Sequence, residues 1–211
     1  QEKSLIVKCF TETDGLKSYF VHNAFSGKNN KQKIAYFQPL NILEIEAVHK
    51  NKGTLENFKE VKLSTAYQTI NTDIFKSTIV IFLSEVLHHS IHEEEKNEDL
   101  FHFLETAFLW LDNHDTISNF HLILLIETTK FLGFYPDSSD NDLKFFEMTE
   151  GIFTPFQSLS CLSEHETNLF KKLLSLKFDS DQKVFAGIER SILLKIILDY
   201  YSKSISSSAL L

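Results

Sequence analysis

The sequence predicts a two-module α+β chain, a small strand-rich module followed by a helical one, and three observations carry that expectation. Apolar residues alternate with a period near two as far as about Leu63. From Asn71 they recur at i, i+3, i+4 and i+7. Charge is also divided: residues 1–66 hold ten lysines against seven acids, a net +3, whereas residues 67–211 set 11 Lys plus Arg against 22 acids, a net −11, which together give the chain's −8. A mildly basic part joined to an acidic one points to modules with different partners. The boundary is placed between residues 68 and 69.

Residues 4–11 are rich in β-branched and apolar side chains, Thr13-Asp14-Gly15 offers a turn in which glycine takes positive φ, and residues 16–25 resume an extended pattern. A β-hairpin is expected. The loop after it sets Lys28, Lys31 and Lys33 among Gly27, Asn29, Asn30 and Gln32, a composition that cannot bury itself. Residues 34–50 read as one long strand in which Pro39 marks an edge or a bulge. Asn51-Lys52-Gly53 supplies the next turn, and residues 55–63 the last strand. Four strands, with a fifth expected ahead of Gln1, make a small barrel. An SH3-like barrel, a meander and a five-stranded Greek-key barrel all fit this alternation.

In the second module, Ile74, Phe75, Thr78, Ile79, Phe82, Leu83, Val86 and Leu87 mark an amphipathic helix capped by Asn71 or Thr72. A second helix carries Leu100, Phe101, Leu104, Ala107, Phe108 and Leu111. A third, over 119–132, is apolar almost all round and belongs at the centre of its module, with Gly133 ending it and Pro136 preventing continuation. Further helices are expected over 164–176 and 188–203, followed by a frayed tail. Residues 151–162 contain Pro155 and read as irregular chain, with Phe153 and Phe156 as core plugs.

Composition excludes several classes. The longest apolar runs, 79–83 and 122–126, fall far short of the roughly 18 residues of a membrane span, and no signal peptide precedes the first strand, so a cytoplasmic protein is expected. Two cysteines, Cys9 and Cys161, are too few for a disulfide framework or a four-cysteine zinc site, and Cys9 reads as a small buried hydrophobe. No GxGxxG, phosphate-cradling loop or GxSxG elbow is present. Nucleotide hydrolysis is therefore not expected; an enzyme ranks third, behind a DNA-binding protein and a protein-interaction scaffold, and none is expected here. His88 and His92 stand at the spacing of one helical turn, but no third ligand stands at a fixed spacing, and no metal site is expected. The run Asp137 to Asp142 lacks the glycine and distal glutamate of a calcium loop.

Binding is the better-supported class. Lys8, Lys17, Lys28, Lys31, Lys33, Lys50 and Lys52, with Tyr19 and Tyr36, are the candidate contacts to nucleic acid, since cations track phosphates while aromatic faces stack bases. Lys59, Lys62, Phe10 and Phe37 belong to the same distribution. The bland alternative is that the lysines keep strand edges soluble and the aromatics face inward. With 20 Lys and the single Arg190, the chain lacks planar forks that read guanine edges, so contacts should ignore base sequence and weaken with salt. A contiguous lysine stripe would favour DNA. Lysines paired with Glu44, Glu46, Glu56 and Glu60 would favour a protein-interaction scaffold, and a concave pocket with converging titratable groups an enzyme.

The runs EKSLIVKCFTETDGLKSYFV (2–21), FQPLNILEIE (37–46) and FLGFYP (131–136) resemble, in order and spacing, the RecO family of bacterial recombination and repair mediators, over nearly the whole chain. The resemblance implies an OB-fold barrel over 1–68, its first strand preceding Gln1, and an all-α domain over 69–211. It implies binding of single- and double-stranded DNA, annealing of complementary strands, and association with RecR. It further implies binding of the acidic, apolar tail of single-strand-binding protein, which helps RecA load onto coated DNA, with no cofactor. The family's basic loop maps onto Lys28, Lys31 and Lys33, although His22 and Asn23 stand where relatives often carry arginine or lysine. The family's tail-binding site maps nearest to His121 and Lys130. Some relatives carry a cysteine-based zinc site; this sequence departs from them.

Overall fold

In the computed structural model, which describes residues 4–22, 24, 34–49, 55–92, 96–180 and 182–208, the first alternating stretch forms an antiparallel ribbon of β1 (Leu5–Thr11) and β2 (Gly15–Val21). The turn between them is closed by Thr11, whose hydroxyl donates to the Gly15 carbonyl at 2.8 Å and accepts the Asp14 N–H at 3.1 Å. Gly15 takes φ +67°, as the turn requires.

A second ribbon pairs β3 (Leu43–Ala47) with β4 (Phe58–Leu63), with a register shift between Glu46 and Ala47. The two ribbons meet through a parallel bridge: the Phe20 N–H donates to the Glu56 carbonyl at 2.8 Å and the Glu56 N–H to the Ser18 carbonyl at 2.9 Å. As far as Leu63 the described residues contain four strands in two ribbons, and they do not close into a barrel. The long strand expected over 34–50 is also shorter. Residues Ala35–Phe37 form a 3₁₀ turn whose carbonyls at Ala35 and Tyr36 are both taken by the Asn41 amide at 3.1 Å, and Leu40, after Pro39, turns to φ +58°. Proline and a side-chain amide offered the backbone a turn in place of a ladder.

The chain divides into two units, Gln1–His114 and Asp115–Leu211, so the first holds both ribbons and two helices, α1 (Ile74–Ser90) and α2 (Glu98–Asn113). Asp73, rather than Asn71 or Thr72, caps α1, accepting the N–H groups of Phe75 and Lys76 at 2.7 and 3.0 Å. α1 buries the stripe Lys76, Val80, Leu83 and Leu87. Lys76 is buried because its ammonium donates to the Thr69 hydroxyl at 2.7 Å and the Asp112 carbonyl at 3.0 Å.

In the second unit, α3 (Phe120–Phe131) is buried on nearly every side, as its apolar circumference predicts. Buried Thr128 and Thr129 turn their hydroxyls back onto the carbonyls of Leu124 and Ile126, at 2.7 and 2.6 Å. After Gly133, the Phe134 N–H donates to the Thr129 carbonyl at 3.1 Å and closes the helix end. α4 (Glu164–Leu174) starts with a capping box of Ser163 and Glu166, and α5 (Gly187–Ser208) runs into the tail expected to fray.

The second module is not all-α. β5 (Phe145–Glu147) and β6 (Ile152–Thr154) form a hairpin, β6 inside the stretch 151–162 that reads as irregular and β5 just ahead of it, both too short to show a period in sequence. Its inward face joins Phe146 and Phe153 to Phe170 and Tyr200, each fully buried ring contributing about 1.5–3 kcal/mol. Phe153 is a core plug; Phe156 is not, being 79% exposed.

Candidate nucleic-acid and partner interfaces

Pairing register decides which first-unit side chains share a face. Lys8 lies opposite Ser18 and Lys17 opposite Cys9, so the two lysines stand on opposite faces of the β1–β2 ribbon. Lys8 is exposed and Lys17 half-buried. Tyr19, expected to stack a base, is a core residue: it is 1% exposed, stacks on Phe58 at 4.2 Å and bonds His49 Nε2 at 2.8 Å. Tyr36 remains half-buried on the 3₁₀ turn. Lys28, Lys31, Lys33, Lys50 and Lys52 lie outside the described residues. On the second ribbon, Lys62 pairs with Glu44 at 3.0 Å and Lys59 with Glu46 at 3.1 Å. Direct cross-strand pairing sets Lys62 against Glu44, whereas Lys59, the extra residue at the register shift, reaches Glu46, whose cross-strand partner is Glu60.

A groove of about 1130 Å³ runs along β1, the 37–45 segment and α2. Consecutive residues of β1 line it, so the strand presents its edge. Within it Asp14 meets His49 at 3.2 Å and His49 meets Tyr19, a link from the hairpin turn to the end of β3. The Thr13 hydroxyl, above all, holds Asp14 below the usual carboxylate range, with His49 adding to the effect. Burial pushes the Tyr19 phenol and the Cys9 thiol each up to about 12, so neither supplies a nucleophile at neutral pH.

His88 lies on α1 but His92 falls beyond its end, with Ile91 extended, so the helical-turn spacing is not formed. Among the described residues no group of three potential ligands gathers to hold a metal ion.

In the second unit, His121 and Lys130 are separated by two and a half turns of α3, about 13 Å along its axis, and project to opposite sides. Burial, with Arg190 nearby, pushes His121 down to about 4, and its Nδ1 has no hydrogen-bond partner. Lys130 meets Glu127 at 2.6 Å and sits 4.5 Å from the centre of the Tyr135 ring. Glu127 also meets Lys177 at 3.3 Å. The i, i+3 spacing of Glu127 and Lys130 was visible in the sequence; Lys177, 50 residues from Glu127, had no local signal.

Two family models cover the chain almost end to end: Recombination protein O N terminal over residues 1–67, and Recombination protein O C terminal over residues 71–206. The chain belongs to the RecO family. Curated relatives called DNA repair protein RecO agree: that of Flavobacterium johnsoniae is 72% identical over 202 residues, covering 96% of this chain and 85% of the relative. The protein from Flavobacterium psychrophilum is 71% identical over 203 residues, with the same coverage. That of Bacteroides fragilis is 33% identical over 207 residues, covering 95% of this chain and 85% of the relative. A RecO-family assignment places the chain in DNA repair, and among the described residues no helix is long and apolar enough to cross a membrane.

Proposed function

We propose that this RecO-family chain is a non-catalytic recombination mediator that binds single- and double-stranded DNA and anneals complementary strands. With RecR, it would help RecA load onto DNA coated by single-strand-binding protein, acting in the cytoplasm at the nucleoid. The observation that carries this reading is the match of both family models along the chain. The exposed Lys8 on the ribbon that leads into Lys28, Lys31 and Lys33 supports the DNA side of it. An OB-fold over 1–68, followed by the helical module over 69–211, remains the proposed architecture. Lys8, Lys17, Lys28, Lys31, Lys33, Lys50, Lys52 and Tyr36 remain the proposed DNA contacts, with Tyr19 reassigned to the core.

A second reading has an observation in its favour. The Lys62–Glu44 and Lys59–Glu46 pairs leave that face of the second ribbon close to neutral, as suits a protein-interaction scaffold. Fluorescence anisotropy with a labelled single-stranded oligonucleotide, from low to moderate salt, separates the two. The mediator reading expects binding that weakens with salt and is lost when Lys28, Lys31 and Lys33 are all changed to Glu. Absence of binding at low salt favours the scaffold.

A further inference from the structure

α1 carries a second apolar face. Lys76, Val80, Leu83 and Leu87 are buried, and on the other side of the helix Ile74, Phe75 and Ile81 are 72%, 73% and 61% exposed. At about 100° per residue, Ile74, Thr78 and Ile81 run along the line facing away from the buried stripe, with Phe75 and Phe82 beside it. The three exposed residues alone leave on the order of 400 Å² of apolar side chain in water, a patch of the size that marks an interaction site.

This face is prepared for burial. Between Ile74 and Ser84 the one ionisable residue is Lys76, whose ammonium is turned into the core. The hydroxyls of Ser77 and Thr78 donate to the Ile74 carbonyl at 3.1 and 2.7 Å, and that of Ser84 to the Ile81 carbonyl at 2.7 Å. Covering them with an apolar surface therefore leaves no donor unpaired. Exposed Asp73, Glu85, His88 and His89 stand beyond the two ends and give the patch a polar rim.

The order of the side chains names the occupant. An isoleucine and a phenylalanine stand four and three residues before Thr78, and another isoleucine and phenylalanine stand three and four after it. These positions map onto one another under a two-fold axis through Thr78. A second copy of α1 laid antiparallel across the first sets Ile74 against Phe82 of the second copy and Phe75 against its Ile81, while the small Thr78 at the crossing lets the backbones approach. The two helix dipoles then oppose each other.

We propose that α1 is a self-association face, on which two copies of this chain pack antiparallel about Thr78. Twice about 400 Å² falls below the roughly 1,200 Å² of a stable interface, so the dimer is weak and forms at micromolar concentrations and above. On the annealing reading above, on which this consequence alone rests, the dimer gathers two strands in one assembly.

Sedimentation velocity of the full chain from about 5 to 500 µM tests the dimer. The weight-average mass is expected to rise from one copy toward two, and to stay at one copy in Ile81→Glu and Phe75→Glu, whose melting curves should match that of the unaltered chain. In a Cys161→Ser background, a short bismaleimide should join Thr78→Cys chains into dimers and leave Asn113→Cys, at an exposed position on α2, as single chains. A single-copy mass throughout overturns the proposal and leaves this face to a different protein. A dimer that survives both glutamate variants, or equal cross-linking of the two cysteine variants, overturns it by placing the contact elsewhere. Complementary oligonucleotides should anneal about fivefold more slowly with Ile81→Glu than with the unaltered chain, at unchanged oligonucleotide binding. An equal rate overturns the annealing consequence, and absence of binding by the unaltered chain overturns the nucleic-acid reading while the sedimentation result stands.

Discussion

The carboxylate of Asp112, near the end of α2, accepts the Ile70 N–H at 2.9 Å and takes the N–H groups of Gln68 and Thr69, each at 2.8 Å. Three consecutive backbone donors thus converge on one buried acid and hold the segment that leads from the second ribbon into α1. Burial acts to raise the Asp112 pKa, but these bonds outweigh it and hold the carboxyl below the usual range.

Asp112→Ala leaves the backbone N–H groups of Gln68, Thr69 and Ile70 short of a partner, while the Asp112 carbonyl that Lys76 bonds is kept, and should destabilise the first unit by about 3 kcal/mol. Because the folded-state pKa is depressed, the contribution is complete above the unfolded value of about 4 and is lost as pH falls below it. Denaturant unfolding at pH 7, followed by two-dimensional NMR of residues 68–70, checks both the size and the place of the loss. An unaltered midpoint would remove the joint from the account.

His121 carries a pH dependence of its own. Its folded-state pKa, near 4, lies below the ordinary value of about 6.5, so the unfolded chain binds the proton first. Stability from this group is complete above pH 6.5 and falls as pH drops toward 4, by about 3 kcal/mol. His121→Leu should flatten that part of the stability profile, measured by urea midpoints between pH 7 and pH 4.5, and leave stability at pH 7 equal or higher. A profile as steep as that of the unaltered chain would contradict the assignment.

Gly151 cannot be replaced cheaply. A Cβ there would lie 2.5 Å from the Tyr200 hydroxyl, which donates to the Phe134 carbonyl at 2.7 Å, and the backbone stands at φ +69°. Gly151→Ala should cost about 2–4 kcal/mol. Tyr200→Phe in the same background should recover part of it by removing the clashing oxygen, a double-mutant comparison readable by thermal unfolding.

These positions differ in how far they could be read before the fold was seen. Leu122 to Ile126 identified a central helix because burial on all sides leaves an apolar circumference. Asp112, Lys177 and Gly151 carry no local pattern: their partners stand far away in sequence, and a lone acid, lysine or glycine has the same local appearance on a solvated surface. Tyr19 was misread for a related reason, since alternation states that a residue has a face without stating which face is covered.

By itself the sequence determined the order of the first two ribbons and the helices, the hairpin turn at Gly15, the central α3, and family membership, because periodicity, turn chemistry and motif order are carried by neighbouring residues. Only the tertiary structure decided the rest. It set Lys8 and Lys17 on opposite faces, took Tyr19 into the core, neutralised Lys59 and Lys62 with glutamates, and drew Lys177 to Glu127 while turning His121 away. Charge and aromatic identity are properties of residues. Whether they meet a ligand, a core or each other depends on register and on helix rotation, which distant packing sets.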